Sequence, residues 1–181
     1  MNLAEPAEPA PEPMSGLYAA LSRYPRLRQG LLRLLAGGFP LRWSFPLKLL
    51  GRPLSRSEIG WVGERLAARH LRRNGRQLLY RNYAGLHRGE VDIVARHGRV
   101  LTFVEVKTRT SDVFGRPSDA VTADKQRLIR RGASDWLRLL GNPRIPTRFD
   151  IVEVLLIRGS PPRLNIIENA FTFEDASMQG R

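Results

Sequence analysis

Arg88-Gly89-Glu90-Val91-Asp92-Ile93 leads through His97-Gly98 into Phe103-Val104-Glu105-Val106-Lys107, so one short stretch carries three carboxylates and a lysine. Those residue types suit a site that holds a divalent cation against a phosphate. Clustered carboxylates supply hard oxygen ligands, and a neighbouring ammonium can offset charge developing on phosphate oxygens. The stretch reads as a β-hairpin. A two-residue turn at His97-Gly98 predicts that Glu90 faces Glu105 and Asp92 faces Phe103. Side chains alternate along a strand, so Glu90, Asp92, Glu105 and Lys107 are expected on one face, with Val91, Ile93, Val104 and Val106 forming the apolar face. Asp92 and Glu105 then become diagonal neighbours roughly 7–8 Å apart, close enough to share one ion. The competing reading is a solvated strand face whose acids Lys107 merely neutralises. Against it stand the register of Asp92, the second acid Glu90 and apolar Phe103 among them.

These residues need a scaffold. Ser57 is expected to cap a helix running to about Arg73, with Ile59, Val62, Ala67 and Leu71 inward. Glu64 falls at the edge of that stripe, where a carboxylate needs either an arginine or the metal site. Gln77 to Tyr83 reads as a strand before the hairpin. A loop from Thr108 to Val121 follows, and Thr122 is expected to cap a second helix to about Leu140, with Ile129, Ala133, Trp136 and Leu140 inward. Residues 148 to 157 suit a buried strand, and Leu164 to Ile167 a last one. Asp150 is expected to pair with Arg148 or a turn amide rather than to join the site. His70, His87 and His97 fall in no metal-ligand spacing and read as surface or turn residues.

Thirty Lys and Arg against seventeen Asp and Glu give a formal net charge of +13 and a pI near 11.4, which favours a polyanionic partner. Nucleic acid is the first such partner, and an anionic membrane surface the second. No cysteine is present, which excludes disulfides and thiolate zinc sites. No apolar run reaches the ~18 residues of a membrane-spanning helix, and the acidic, proline-rich start lacks the basic region of a secretory signal. A cytoplasmic protein is expected.

Residues 1–56 read as a disordered or irregular leader, acidic and proline-rich over 1–13 and basic over 14–56. The basic part carries eight Lys or Arg and no acid. Nucleic-acid clamp, membrane-surface patch and plain leader all stand as readings of it. Residues 57–173 form the expected folded domain and 174–181 a tail.

From Glu58 onward the sequence resembles the bacterial YraN family of small predicted endonucleases. The resemblance rests on Gly63-Glu64, Gly89-Glu90-Val91-Asp92, Phe103-Val104-Glu105-Val106-Lys107-Thr108-Arg109, Phe114-Gly115, Lys125 and Arg148-Phe149-Asp150, in that order. The family is similar to the restriction-endonuclease-like PD-(D/E)xK superfamily, near the archaeal Holliday-junction resolvases, although Val91 stands where that superfamily's name puts proline. The resemblance implies an α/β, restriction-endonuclease-like core with a mixed central sheet flanked by helices. It also matches Asp92 and Glu105 to metal-binding acids, Lys107 to the motif lysine and Glu64 to a helical acid, while Glu90 matches a family acid of unassigned role.

The expected activity is therefore hydrolysis of phosphodiester bonds in nucleic acid, with DNA, branched or repair intermediates included, as the first substrate. Lys107, Glu105, Asp92 and Glu64 would be catalytic. Asp92, Glu105, Glu64 and Glu90 would hold Mg²⁺ or Mn²⁺, with the Val106 carbonyl assisting. Arg109, Lys125, Arg127 and Arg131 would meet the nucleic acid. The alternative is a non-catalytic nucleic-acid-binding module that keeps the nuclease fold, and a third reading is a membrane-surface adaptor acting through residues 14–56. A homodimer stays open.

Overall fold

Burial of near-continuous apolar strands on both faces organises the molecule, whose computed structural model describes residues 25–38, 44–49, 52–111 and 121–173. The acidic stretch 1–13, the Phe114-Gly115 motif and the 174–181 tail lie outside the described residues. In chain order the elements are α1 (Pro25–Gly38), β1 (Lys48–Leu49), β2 (Arg52–Pro53), α2 (Arg56–Arg73), β3 (Gln77–Ala84), β4 (Glu90–His97), β5 (Val100–Arg109), α3 (Ala123–Leu139), β6 (Thr147–Leu155) and β7 (Arg163–Phe171). Strands β3 to β7 form one mixed sheet in sequence order. Only β5 and β6 run parallel, and α3 lies in the crossover between them, as a parallel pair requires.

Each face of the sheet carries its own core. On one face α2 packs Val62, Leu66 and Leu71 against Ile93, Val104 and Val152. On the other, α3 packs Ile129 and Ala133 against Val94, Phe103 and Ile151. Sandwiching explains why the hairpin face expected to be polar is not wet, since Phe103 is wholly buried.

Three expectations change. The α2 cap is Ser55, not Ser57: the Ser55 hydroxyl accepts from Glu58 N–H while Glu58 accepts from Ser55 N–H at 2.8 Å. This capping box satisfies two otherwise orphaned donors. The basic extension, expected to be mostly irregular, contains the 14-residue α1, and Leu32, Ala36, Phe45, Leu49 and Leu54 join the α2 core. Packing therefore does not stop at residue 57. Finally, the β4–β5 turn is Gly98-Arg99, because His97 pairs with Val100 and Val94 with Phe103. Gly98 has φ +60°, and glycine at the first central position is what a type II′ turn needs.

At the far end of the sheet Asp150, fully buried, accepts from Arg148 Nε at 2.7 Å and from Asn169 N–H at 3.1 Å. It is a structural acid, as its pairing with Arg148 led one to expect. Among the described residues no helix is long and apolar enough to cross a membrane.

Candidate functional site

The acids of the hairpin meet where the β4–β5 ladder ends. Pairing between the strands extends only as far as Ile93 with Val104, and beyond it the Asp92 carboxylate takes over a ladder position by accepting from Val106 N–H at 2.7 Å. Glu90 therefore does not face Glu105, and Asp92 does not face Phe103. Moving the turn by one residue changes the partners but keeps the parity, so Asp92 and Glu105 still come together. Val91 departs from the expected pattern as well. It packs with Val94 and Phe103 under α3 rather than with Ile93 and Val104 under α2, because α3 crosses directly over it: a Cβ on Gly132 would lie 3.0 Å from Val91 Cγ2.

Glu105 is the most enclosed of these acids, 7% exposed. Its Oε2 is buried without a hydrogen-bond partner, and the ammonium of Lys125, 3.4 Å away, is its cationic neighbour. Burial, followed by the Asp92 charge, pushes the Glu105 carboxyl up to about 8, with Lys125 pulling the other way. Burial also raises Asp92, opposed by the Val106 N–H and by Lys125. Two carboxylates in one desolvated pocket cannot both ionise cheaply, so near neutrality the pair retains a proton or needs a cation.

Glu64 enters from α2. Burial and the Asp92 charge raise its carboxyl, and a hydrogen bond from the Asn82 side chain lowers it. The acid at the edge of the apolar stripe thus has an amide partner and faces the hairpin acids. Glu64, Glu105, Lys107 and Arg109 line one open cleft together with Arg56 and Ile59 at the start of α2.

Lys125 projects from the first turn of α3 and contacts Glu90 as well as Glu105. Burial alone would lower its ammonium, but the Glu90 hydrogen bond and the Glu105, Asp92 and Glu90 charges outweigh this, and the net shift is upward. It sits inside the acidic cluster rather than on a separate basic surface. Arg127 is exposed and paired with Asp124, and Arg131 is exposed on α3. Neither is drawn into the acid cluster.

Two glycines let the acids converge. A Cβ on Gly63, immediately before Glu64, would lie 1.7 Å from Thr108 Oγ1, and one on Gly89, immediately before Glu90, would lie 2.1 Å from Gly132 N. Both distances are far inside contact. The two Gly-Glu pairs therefore mark where α2 presses on β5 and where β4 presses on α3.

The sequence profile of the uncharacterised protein family UPF0102 matches residues 63–154, from Gly63 beside Glu64 to Val154 of β6. The chain belongs to this family. A UPF0102 protein of Chlorobaculum tepidum is 46% identical over 99 residues, 55% of this chain and 76% of its own length. One of Symbiobacterium thermophilum is 44% identical over 113 residues, 62% of this chain and 95% of its own. One of Caldicellulosiruptor saccharolyticus is 40% identical over 119 residues, 65% of this chain and all of its own. The interval that marks this chain as UPF0102 contains Glu64, Glu90, Asp92, Glu105, Lys107 and Lys125.

In this UPF0102 chain, sequence reasoning missed Asn82 and the bridging position of Lys125. Asn82 holds φ 55° within β3, a conformation asparagine tolerates better than most residues; an asparagine between strand residues was the available signal. Lys125 was expected to meet nucleic acid, and nothing local marks its bridging of Glu90 and Glu105, since those partners lie on two distant strands.

Proposed function

We propose that the protein is a metal-dependent endonuclease-like hydrolase acting on nucleic acid, with DNA as its first substrate and the cytoplasm as its compartment. The observation that carries this reading is the Glu105 carboxyl: buried, raised to about 8 by that burial and by the Asp92 charge, its Oε2 facing the Lys125 ammonium 3.4 Å away, in a cleft that it shares with Glu64 and Lys107. An oxygen in that state suits a hard cation. Among the described residues no three acids or histidines lie close enough to enclose an ion by themselves. A Mg²⁺ or Mn²⁺ ion here would therefore take one or two carboxylates and complete its shell with waters and substrate phosphates.

Asp92, Glu105 and the Val106 carbonyl would hold the cation, and Glu64, with or without Glu90, a second ion or a coordinated water. A bound ion supplies Lewis-acid polarisation of the phosphate and a lowered pKa for its water. The chain's own residues do the rest. Glu105 gives up its proton to become a ligand, and Lys125 assists by favouring the ionised form. Lys107, on the cleft wall, orients a water and offsets charge developing on the phosphate. Arg109, lining the same cleft, and exposed Arg127 and Arg131 meet flanking phosphates. The net charge of +13 and the resemblance to predicted endonucleases support the same reading. A homodimer would set two clefts against the two strands of a duplex, which sedimentation checks.

One observation favours the second reading, a non-catalytic nucleic-acid-binding module. Lys125 already compensates Glu90 and Glu105 from within the chain. The deciding experiment is a panel of junction, flap, single-stranded and duplex substrates in Mg²⁺ and in Mn²⁺, with wild type, Glu105→Gln and Glu105→Ala. Cleavage by wild type that both variants lose supports hydrolysis at this site. Folded wild type that binds but cleaves nothing, or a Glu105→Gln variant cleaving at the wild-type rate, puts the binding module in its place.

A further inference from the structure

Gly85–Gly89 joins β3 to β4, and its last residue directly precedes Glu90, whose carboxylate contacts Lys125. The loop is braced at Gly85, His87 and Gly89. Gly85 N–H donates to the Gly89 carbonyl at 2.7 Å, closing the loop on itself. Asp135 of α3, 4% exposed, accepts from His87 N–H at 3.1 Å, and its other oxygen lies 2.8 Å from His87 Nδ1. Arg138 donates to that same oxygen at 2.7 Å. A Cβ on Gly85 would meet Asp135 at 2.4 Å, and one on Gly89 would meet the α3 backbone at 2.1 Å, so both ends of the loop are seated on the helix. Beneath it Tyr83 packs edge-on against Trp136, with centroids 5.0 Å apart. Arg88 holds φ 59°, a conformation that persists for a non-glycine residue only where the surroundings impose it.

What this braced loop presents is Leu86, 89% exposed, more than any other large apolar side chain among the described residues. A single exposed leucine is ordinary. A leucine fixed at the tip of a braced loop, with exposed His87 and Arg88 following it and Arg131 and Arg138 exposed on the helix behind, has the make-up of an apolar wedge between phosphate contacts. Such side chains enter between base steps and partly unstack them.

We propose that Gly85–Gly89 is a nucleic-acid wedge: Leu86 inserts between neighbouring bases while His87 and Arg88 hold the adjacent phosphates. The inference rests on the reading of the cleft as a nucleic-acid site, and Asp135 serves it by fixing the loop rather than by touching the ligand. The test is full-chain binding, in EDTA, to duplex and branched oligonucleotides carrying 2-aminopurine, whose fluorescence rises on unstacking.

Wild type should raise the signal. Leu86→Ala should still bind, with weakened affinity, and lose most of the rise, while Leu86→Met should restore it. Glu105→Gln should keep the rise whatever becomes of cleavage, so failure of the wedge and failure of the hydrolase reading are told apart. An equal rise with Leu86→Ala, or no rise with wild type on any substrate, overturns the proposal. So does a Leu86→Ala variant that binds and unstacks as wild type does but sediments differently, since Leu86 would then belong to a contact with a second copy.

Discussion

The Lys125 ammonium lies 3.4 Å from Glu105 Oε2 and also contacts Glu90, so a helix residue occupies the space between acids on β4 and β5. The cluster thereby carries its own counter-charge, and removing that charge should make Glu105 harder to ionise. In Lys125→Met the Glu105 carboxyl should titrate above its value of about 8, observed through the side-chain carboxyl carbon by NMR. An unchanged midpoint would mean that the ammonium does not act on this acid.

The raised Glu105 carboxyl also sets how stability varies with pH. Its ordinary value is 4.5 and its folded value about 8, so between these limits the unfolded chain is ionised while the folded chain keeps the proton. The contribution to stability is fully present below pH 4.5 and is lost as pH rises through about 8, with a slope of at most ~1.4 kcal/mol per pH unit for one proton. Urea denaturation from pH 5 to pH 8 should show the decline in wild type without divalent cations. Glu105→Gln, which cannot ionise, should show a flatter profile, and parallel curves would contradict the assignment.

If a divalent cation binds this pair it must displace that proton, so its stabilising effect should grow with pH. A fixed concentration of Mn²⁺ should raise the melting temperature more at pH 8 than at pH 6, and should add about 2.7 kcal/mol to the unfolding free energy where it reaches one hundred times Kd. Chelation should reverse the gain. Asp92→Asn should remove it while leaving the hairpin folded. A wild-type melting temperature indifferent to Mn²⁺ at both pH values would leave the acids without a metal role.

What was legible in the sequence follows the range of each cause. Period-2 alternation placed Ile93 and Val104 in one layer and brought Asp92 and Glu105 together, because strand parity is local. The turn was misplaced by one residue, since His97-Gly98 and Gly98-Arg99 both offer a glycine and only strand pairing chooses between them. The burial of Glu105 was not readable, because the face that carries it is covered by α3 from a distant part of the chain. A hairpin considered alone puts its acids together on one face and gives no sign of the helix that covers them. At 7% exposure, Glu105→Ala removes buried volume, which is why Glu105→Gln is the cleaner variant. The extension before Ser55 likewise looked irregular from its prolines and glycines, yet Leu32 and Ala36 find a partner in α2.

The Gly-Glu pairs yield a prediction about how packing positions the acids. In Gly63→Ala the new methyl would fall 1.7 Å from Thr108 Oγ1, so α2 must lift from β5 at the residue that precedes Glu64. Overpacking of this kind costs about 1–3 kcal/mol, and the same displacement should carry Glu64 out of the cleft and return its raised carboxyl toward an ordinary value. Thr108 Oγ1 has no hydrogen-bond partner, so Thr108→Ala forfeits none. It removes the nearest clashing atom, although Thr108 Cβ remains 2.9 Å from the Gly63 methyl position. The double variant should therefore be more stable than the sum of the two single changes, with a coupling of about 0.5–3 kcal/mol. Gly89→Ala should have no comparable rescue, because its methyl would meet Gly132 N, a backbone atom no substitution deletes. Denaturation midpoints of the five proteins, wild type included, check the argument: strict additivity between Gly63→Ala and Thr108→Ala would show that the helix does not press on the strand at this point.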